Sequence, residues 1–215
     1  MEFESVDAGA VIDVLLLLLI GIGPKIALVP FLNATAGMSV ATKRRVMRRM
    51  VTTAAAVALL LLVLGGLLTR LLHFAVGALA VSSGIILLVL AVSMVLGTSD
   101  SGQPADGRAD VDPMRLAVYP LAVPYLLNPA GIVVLVTASA EAATIGVFAI
   151  VLGALAVVIA LDILVFRWAA QAATHLNANA MLVTEKVFGF LLAALAVQLA
   201  LDGLSGLGVI HLITH

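Results

Sequence analysis

Gly21-Ile22-Gly23-Pro24-Lys25-Ile26-Ala27-Leu28-Val29-Pro30 lies inside an apolar segment long enough to cross a bilayer, yet it holds two glycines, two prolines and a charge. Glycine weakens a helix, and proline also removes a backbone donor. In hydrocarbon an unpaired backbone group costs several kcal/mol, so a break there is tolerated only against protein or a water-filled cavity. A lysine at that depth is expensive too, and by default points to function. The plain alternative is a kinked helix whose lysine snorkels to a headgroup or meets a structural partner.

The rest of the chain sets that stretch in a membrane. Its 215 residues are 63% hydrophobic and 11% charged, whereas soluble domains run at about 45–50% apolar and about 25% charged. The composition implies an all-α polytopic membrane protein. There is no cysteine, which excludes disulfides and thiolate metal sites. Net charge is −1 and no basic block is interleaved with aromatics, so nucleic acid is not an expected partner. The start, Met1-Glu2-Phe3-Glu4-Ser5, is acidic where a secretory signal is basic, so the first apolar segment is expected to be retained.

A spanning helix needs about 20 apolar residues. Six spans follow: Val11–Leu32, Met50–Thr69, Phe74–Gly97, Arg115–Ala138, Ala142–Phe166 and Lys186–Leu207. Arg70-Leu71-Leu72-His73 reads as a tight turn between the second and third. Thr98–Pro113 is polar and rich in turn formers, and reads as a flexible linker. The loops after spans one, three and five hold nine of the eleven lysines and arginines, among them Lys43, Arg44, Arg45, Arg48 and Arg49. By the positive-inside rule these loops are cytoplasmic and both termini outside. The basic cluster Lys43–Arg49 is read as an orientation signal rather than a lipid site.

The two halves resemble each other. Gly84-Ile85-Ile86-Leu87-Leu88-Val89-Leu90-Ala91-Val92-Ser93-Met94-Val95-Leu96 matches the thirteen residues from Gly189 at six positions, with an offset of 189 − 84 = 105. Pro24 and Pro129 share it, 129 − 24 = 105. Two landmarks in one register indicate a duplication, with residues 1–105 as one three-helix repeat and 106–215 as the other. Three spans per repeat is odd, so the second enters from the opposite side. This is the inverted build common in secondary transporters, where interrupted helices at matching positions mark the binding site.

Those interruptions fall in spans one and four. Asn128-Pro129 reads as a helix start, because asparagine caps well and proline suits the first helical position. Gly23-Pro24 reads the same way with a weaker cap. Two half-helix N-termini near the midplane would offer free N–H groups and partial positive charge to a carboxylate or another anion, and Lys25 would add a full charge. Gly23, Pro24, Lys25, Asn128, Pro129 and Gly131 are therefore candidate substrate contacts. Tyr125, Ser93 and Gln198, which occupies the position equivalent to Ser93, could complete the pocket, although buried polar residues in membranes often only tie helices together. Asp162, late in span five, is a candidate ion-coupling carboxylate, or a structural partner of Arg167. No metal-binding or hydrolase motif is present, so neither a metal, a cofactor nor an enzymatic activity is expected.

These residues resemble the MarC family, which includes small neutral amino-acid transporters. The likeness is most specific at Val118-Tyr119-Pro120-Leu121-Ala122-Val123-Pro124-Tyr125-Leu126-Leu127-Asn128-Pro129-Ala130-Gly131-Ile132, where the family has a Tyr-Pro-Leu-Ala stretch, a spaced proline and Gly-Pro-Gly-Ala. The basic stretch after Gly37-Met38-Ser39 and Ala196-Val197-Gln198 near Asp202-Gly203 also fit. Two departures fall on the presumed site. The family's first motif resembles Asp-Pro-Ile-Gly-Asn-x-Pro, where this chain has Gly23-Pro24-Lys25-Ile26-Ala27. In the second, Asn128 replaces a glycine and Ala130-Gly131 reverses the usual order. The resemblance implies an inner-membrane transporter of small neutral amino acids working by alternating access. An exporter of another small metabolite, or a non-transporting subunit that binds a partner or lipid, are the rivals. The partners implied are a small-molecule substrate and the bilayer, and a homo-oligomer is compatible with the reading.

Overall fold

The computed structural model describes residues 8–97, 112–141, 144–172 and 178–210. The chain termini and most of the expected linker Thr98–Pro113 lie outside the described residues. What is described is helical: α1 (Ala8–Gly21), α2 (Pro24–Ala34), α3 (Val40–Leu72), α4 (Val76–Leu96), α5 (Pro113–Leu116), an irregular segment Ala117–Leu126, α6 (Pro129–Glu141), α7 (Ile145–Ala172) and α8 (Ala178–Gly206). Four stretches are long and apolar enough to cross a membrane: Val40–Leu72, Val76–Leu96, Ile145–Gln171 and Val183–Gly206. Val11–Gly21 and Pro129–Glu141 are apolar but shorter. Their brevity follows from the interruptions, because expected spans one and four are each divided.

Local chemistry sets most boundaries. Ser39 caps α3, its Oγ accepting from the Thr42 N–H at 3.2 Å. The lysine and arginines that follow are good helix formers. The expected loop Lys43–Arg49 is therefore the first turns of α3, which begins ten residues (50 − 40) before the expected Met50. The turn after α3 falls at His73, in the left-handed region with φ 53°. Asp112 and Pro113, expected to be linker, start a helix: Asp112 Oδ1 accepts from the Met114 N–H at 2.9 Å. In the irregular segment Tyr119 (φ −140°, ψ 129°) and Val123 (φ −137°, ψ 124°) are extended. Each precedes a proline, Pro120 or Pro124, whose ring drives the preceding residue out of the helical region. At the other end of the chain α7 runs six residues past the expected Phe166 (172 − 166), and α8 begins eight before Lys186 (186 − 178).

The most extensive packing is between α4 and α8. A Cβ on Gly84 would come within 2.7 Å of the Ala196 carbonyl oxygen and 3.0 Å of the Ala200 Cβ, and one on Gly189 would meet Ala91 and Val95 in the same way. Adding 105 to 91 and 95 gives 196 and 200. Several other pairs come in twos: α3 with α6 and α2 with α7, α3 with the irregular segment and α1 with α7, α4 with α6 and α2 with α8. Inside lie Leu18, Ile26, Phe31, Met50, Leu121 and Phe166, all essentially inaccessible. Outside, the long helices expose large apolar side chains such as Leu60, Val63, Ile85, Val89, Leu164 and Phe190. In water such a surface would be a liability; against acyl chains it is what a spanning helix needs.

Candidate functional site

The two interruptions meet. α1 ends at Gly21 and α2 begins at Pro24; between them Ile22 forms an antiparallel bridge with Leu127. The Gly23 N–H donates to the Leu126 carbonyl at 3.3 Å, and the Asn128 N–H donates to the Gly21 carbonyl at 3.0 Å. Backbone groups that each break would orphan are thus paired across the contact, as a low-dielectric surround demands. The bridged residues are one repeat register apart, 127 − 22 = 105.

Asn128 joins the two breaks with its side chain. Its Oδ1 accepts from the Gly131 N–H at 3.0 Å, which caps α6. Its Nδ2 donates to the Ile20 carbonyl at 2.9 Å, which satisfies an orphan carbonyl at the end of α1. The residue is inaccessible, so it is not free to face a cavity. Gly131 is equally committed: a Cβ there would overlap the Gly21 backbone, and one on Gly21 would overlap Gly131. Two expected substrate contacts are therefore structural, since close approach of two chains consumes both.

The other expected site residues divide. Gly23, Tyr125 and Pro129 are buried near the bridge, and Pro24 and Lys25 are half-buried on the first turn of α2. Ser93 and Gln198 have local partners instead. Ser93 Oγ donates to the Leu90 carbonyl of its own helix at 2.7 Å. Gln198 is exposed and donates through Nε2 to Asp202 Oδ1 at 2.7 Å. Both satisfy themselves within one turn, as polar residues on apolar helices commonly do.

Asp162 is 1% exposed. Neither carboxylate oxygen has a hydrogen-bond partner among the described residues. The expected alternative, a pair with Arg167, is not formed: Arg167 is exposed, and a five-residue separation puts it on a different face of the helix. Asp162 is also less late in its span than expected; α7 continues for ten residues (172 − 162) beyond it. One turn on, Phe166 meets Phe31 of α2 edge to face, with centroids 5.2 Å apart at 73°. The buried acid is thus on the helix that packs against α2. A buried polar group without a partner costs free energy and calls for an explanation.

Gly21, Ile22 and Leu127 were not among the expected site residues. The signal for the last two was present in the offset of 105 that relates Pro24 to Pro129, which also relates 22 to 127. Gly21 carries no such mark, because a glycine shows that something comes close but not what.

Residues 9–208 match the family described as MarC family integral membrane protein. The chain is 27% identical over 156 residues, 71% of its own length and 74% of the relative's, to the UPF0056 membrane protein YvbG of Bacillus subtilis (strain 168). No solved structure matches it. With the family match spanning nearly the whole chain, the protein belongs to the MarC family of integral membrane proteins.

Proposed function

We propose that the protein is a secondary transporter of small solutes, with small neutral amino acids as the first class to test. Residues 1–105 and 106–215 act as inverted three-helix repeats that rock against each other. The observation that carries this reading is the contact of the two helix breaks at Ile22 and Leu127, one repeat register apart. Discontinuous helices that meet are the usual architecture of midplane sites in transporters. The paired packing of α3–α6 with α2–α7, and of α4–α6 with α2–α8, supports the two-fold relation. On this reading the N-terminus of α2 and Lys25 take the solute carboxylate, Asp162 is the coupling group, and the basic loops face the cytoplasm of an inner-membrane protein.

Uptake and counterflow of labelled glycine and alanine in proteoliposomes tests it. Lys25→Met is expected to abolish exchange with expression unchanged, and Lys25→Arg to retain part of it. Asp162→Asn, nearly isosteric, is expected to leave the fold intact and remove gradient-driven accumulation. Counterflow of other small solutes alone would identify the exporter of another metabolite. One observation favours a non-transporting subunit: the Gly21–Gly131 contact is closely packed. Absence of counterflow with every small solute tried would favour that reading.

A further inference from the structure

The basic residues at the start of α3 border two cavities. Arg49 lies one residue before Met50, where the helix turns apolar, and Arg115 lies one residue before Leu116, where the second half turns apolar. α3 and α5 pack together. Between them is a cavity of about 490 Å³ lined by Arg49, Asp112, Met114, Arg115, Val118 and Tyr119. Both arginines are exposed side chains at its wall. Asp112 is held by its cap on α5, where Oδ1 accepts from the Met114 N–H. Two arginines and one aspartate leave a net charge of 2 − 1 = +1 in the cavity. Beside the charges the wall is apolar, and the Tyr119 side chain is 73% exposed. Tyrosine concentrates where acyl chains give way to headgroups.

We propose that this cavity binds the phosphodiester headgroup of an anionic phospholipid, independently of any transport activity. The geometry supports three parts of that assignment. Two guanidinium groups from different halves of the chain stand where their apolar runs begin, which is where a bilayer would present lipid phosphates. Guanidinium is suited to phosphate oxygens by its forked donors. A net single positive charge matches the single negative charge of a phosphodiester better than a doubly charged free phosphate. Met114, Val118 and the Tyr119 ring offer the acyl chains a surface that a soluble phosphate would not use. Arg44, Arg45 and Arg48 line a separate cavity of about 310 Å³ with Ala41, and no aromatic or large apolar residue joins them there.

The test is thermal stability and native mass spectrometry of the detergent-solubilised full chain with added phosphatidylglycerol, phosphatidylcholine, soluble glycerophosphoglycerol or inorganic phosphate. Phosphatidylglycerol should bind at one saturable site and raise the melting temperature, and the other three should not. Arg49→Gln and Arg115→Gln should each weaken that binding about five-fold, from a contribution typical of one arginine near an anionic headgroup. Arg44→Gln with Arg45→Gln should leave it unchanged and controls for overall charge. Should Arg49→Gln fail to fold, Arg115→Gln and Tyr119→Ala provide the comparison, each weakening phosphatidylglycerol binding. Equal binding of phosphatidylcholine, equal stabilisation by the soluble anions, or an equal loss in the Arg44/Arg45 variant would each overturn the proposal.

Discussion

The two helix breaks occupy equivalent positions and are built differently. The first is two residues long, Ile22 and Gly23, and has no side-chain cap. The second is spread over Ala117–Leu127, uses two prolines with an extended residue before each, and ends at Asn128, which caps α6. The first break cannot copy the second. A Cβ on Gly23 would lie 2.5 Å from the Leu19 carbonyl oxygen, so no capping side chain fits there. Asn128 compensates, since its amide also reaches the Ile20 carbonyl. One side chain therefore serves both breaks, and the pair holds together as a unit rather than as two independent kinks. Membrane helices tolerate interruption when a neighbour re-satisfies the freed backbone, and here each break is the other's neighbour.

If the breaks form one unit, its most sensitive point is where their backbones touch. Gly21→Ala and Gly131→Ala should each destabilise the protein by about 3 kcal/mol or more, because the new methyl meets backbone that has no room to move. The two effects should not add, since both remove a single contact. Thermal unfolding in detergent with a double-mutant cycle checks this. Strict additivity would show that the breaks are separate.

The sequence alone pointed to two breaks, at Pro24 and Pro129, and the structure has a break at each. It did not disclose the contact between them: glycine signals close approach without naming the partner. The start of α3 is hidden in the sequence, because arginine and lysine are strong helix formers that are also the usual marks of a loop between spans. Asp162 was visible as an acid in an apolar helix. Its lack of partners among the described residues was not, because that depends on which face meets α1, α2 and α3. Ser93 and Gln198 illustrate the opposite error, where equivalence in the repeat suggested a shared pocket and each side chain had a nearer partner.

Asn128 offers a smaller and more discriminating test of the unit. Asn128→Ala removes a cap, at about 1 kcal/mol, and leaves the Ile20 carbonyl buried and unpaired, at about 1–3 kcal/mol. The sum, about 2–4 kcal/mol, should appear as a loss of stability. Asn128→Ser keeps a cap acceptor for α6 but is too short to replace the amide donor to Ile20, so it separates the two roles. A loss confined to α6, with hydrogen exchange at Ile20–Gly23 unchanged, would show that Asn128 belongs to the second break alone.

The smallest expected effect has the opposite sign. Gly153 lies inside α7, and a Cβ there would meet nothing within 4 Å. Glycine in a helix interior costs up to about 1 kcal/mol relative to alanine, and no close contact at Gly153 offsets that. Gly153→Ala should therefore raise thermal stability slightly, whereas the same change at Gly21 or Gly131 lowers it several-fold more. The contrast assigns the cost at the crossing to packing, because the same added methyl meets backbone at Gly21 and Gly131 and open space at Gly153. If Gly153→Ala were as damaging as Gly131→Ala, α7 would have a neighbour at that face in the membrane. The most economical neighbour would be a second copy of the chain, and crosslinking through a cysteine at position 153 of the otherwise cysteine-free protein would then reveal it.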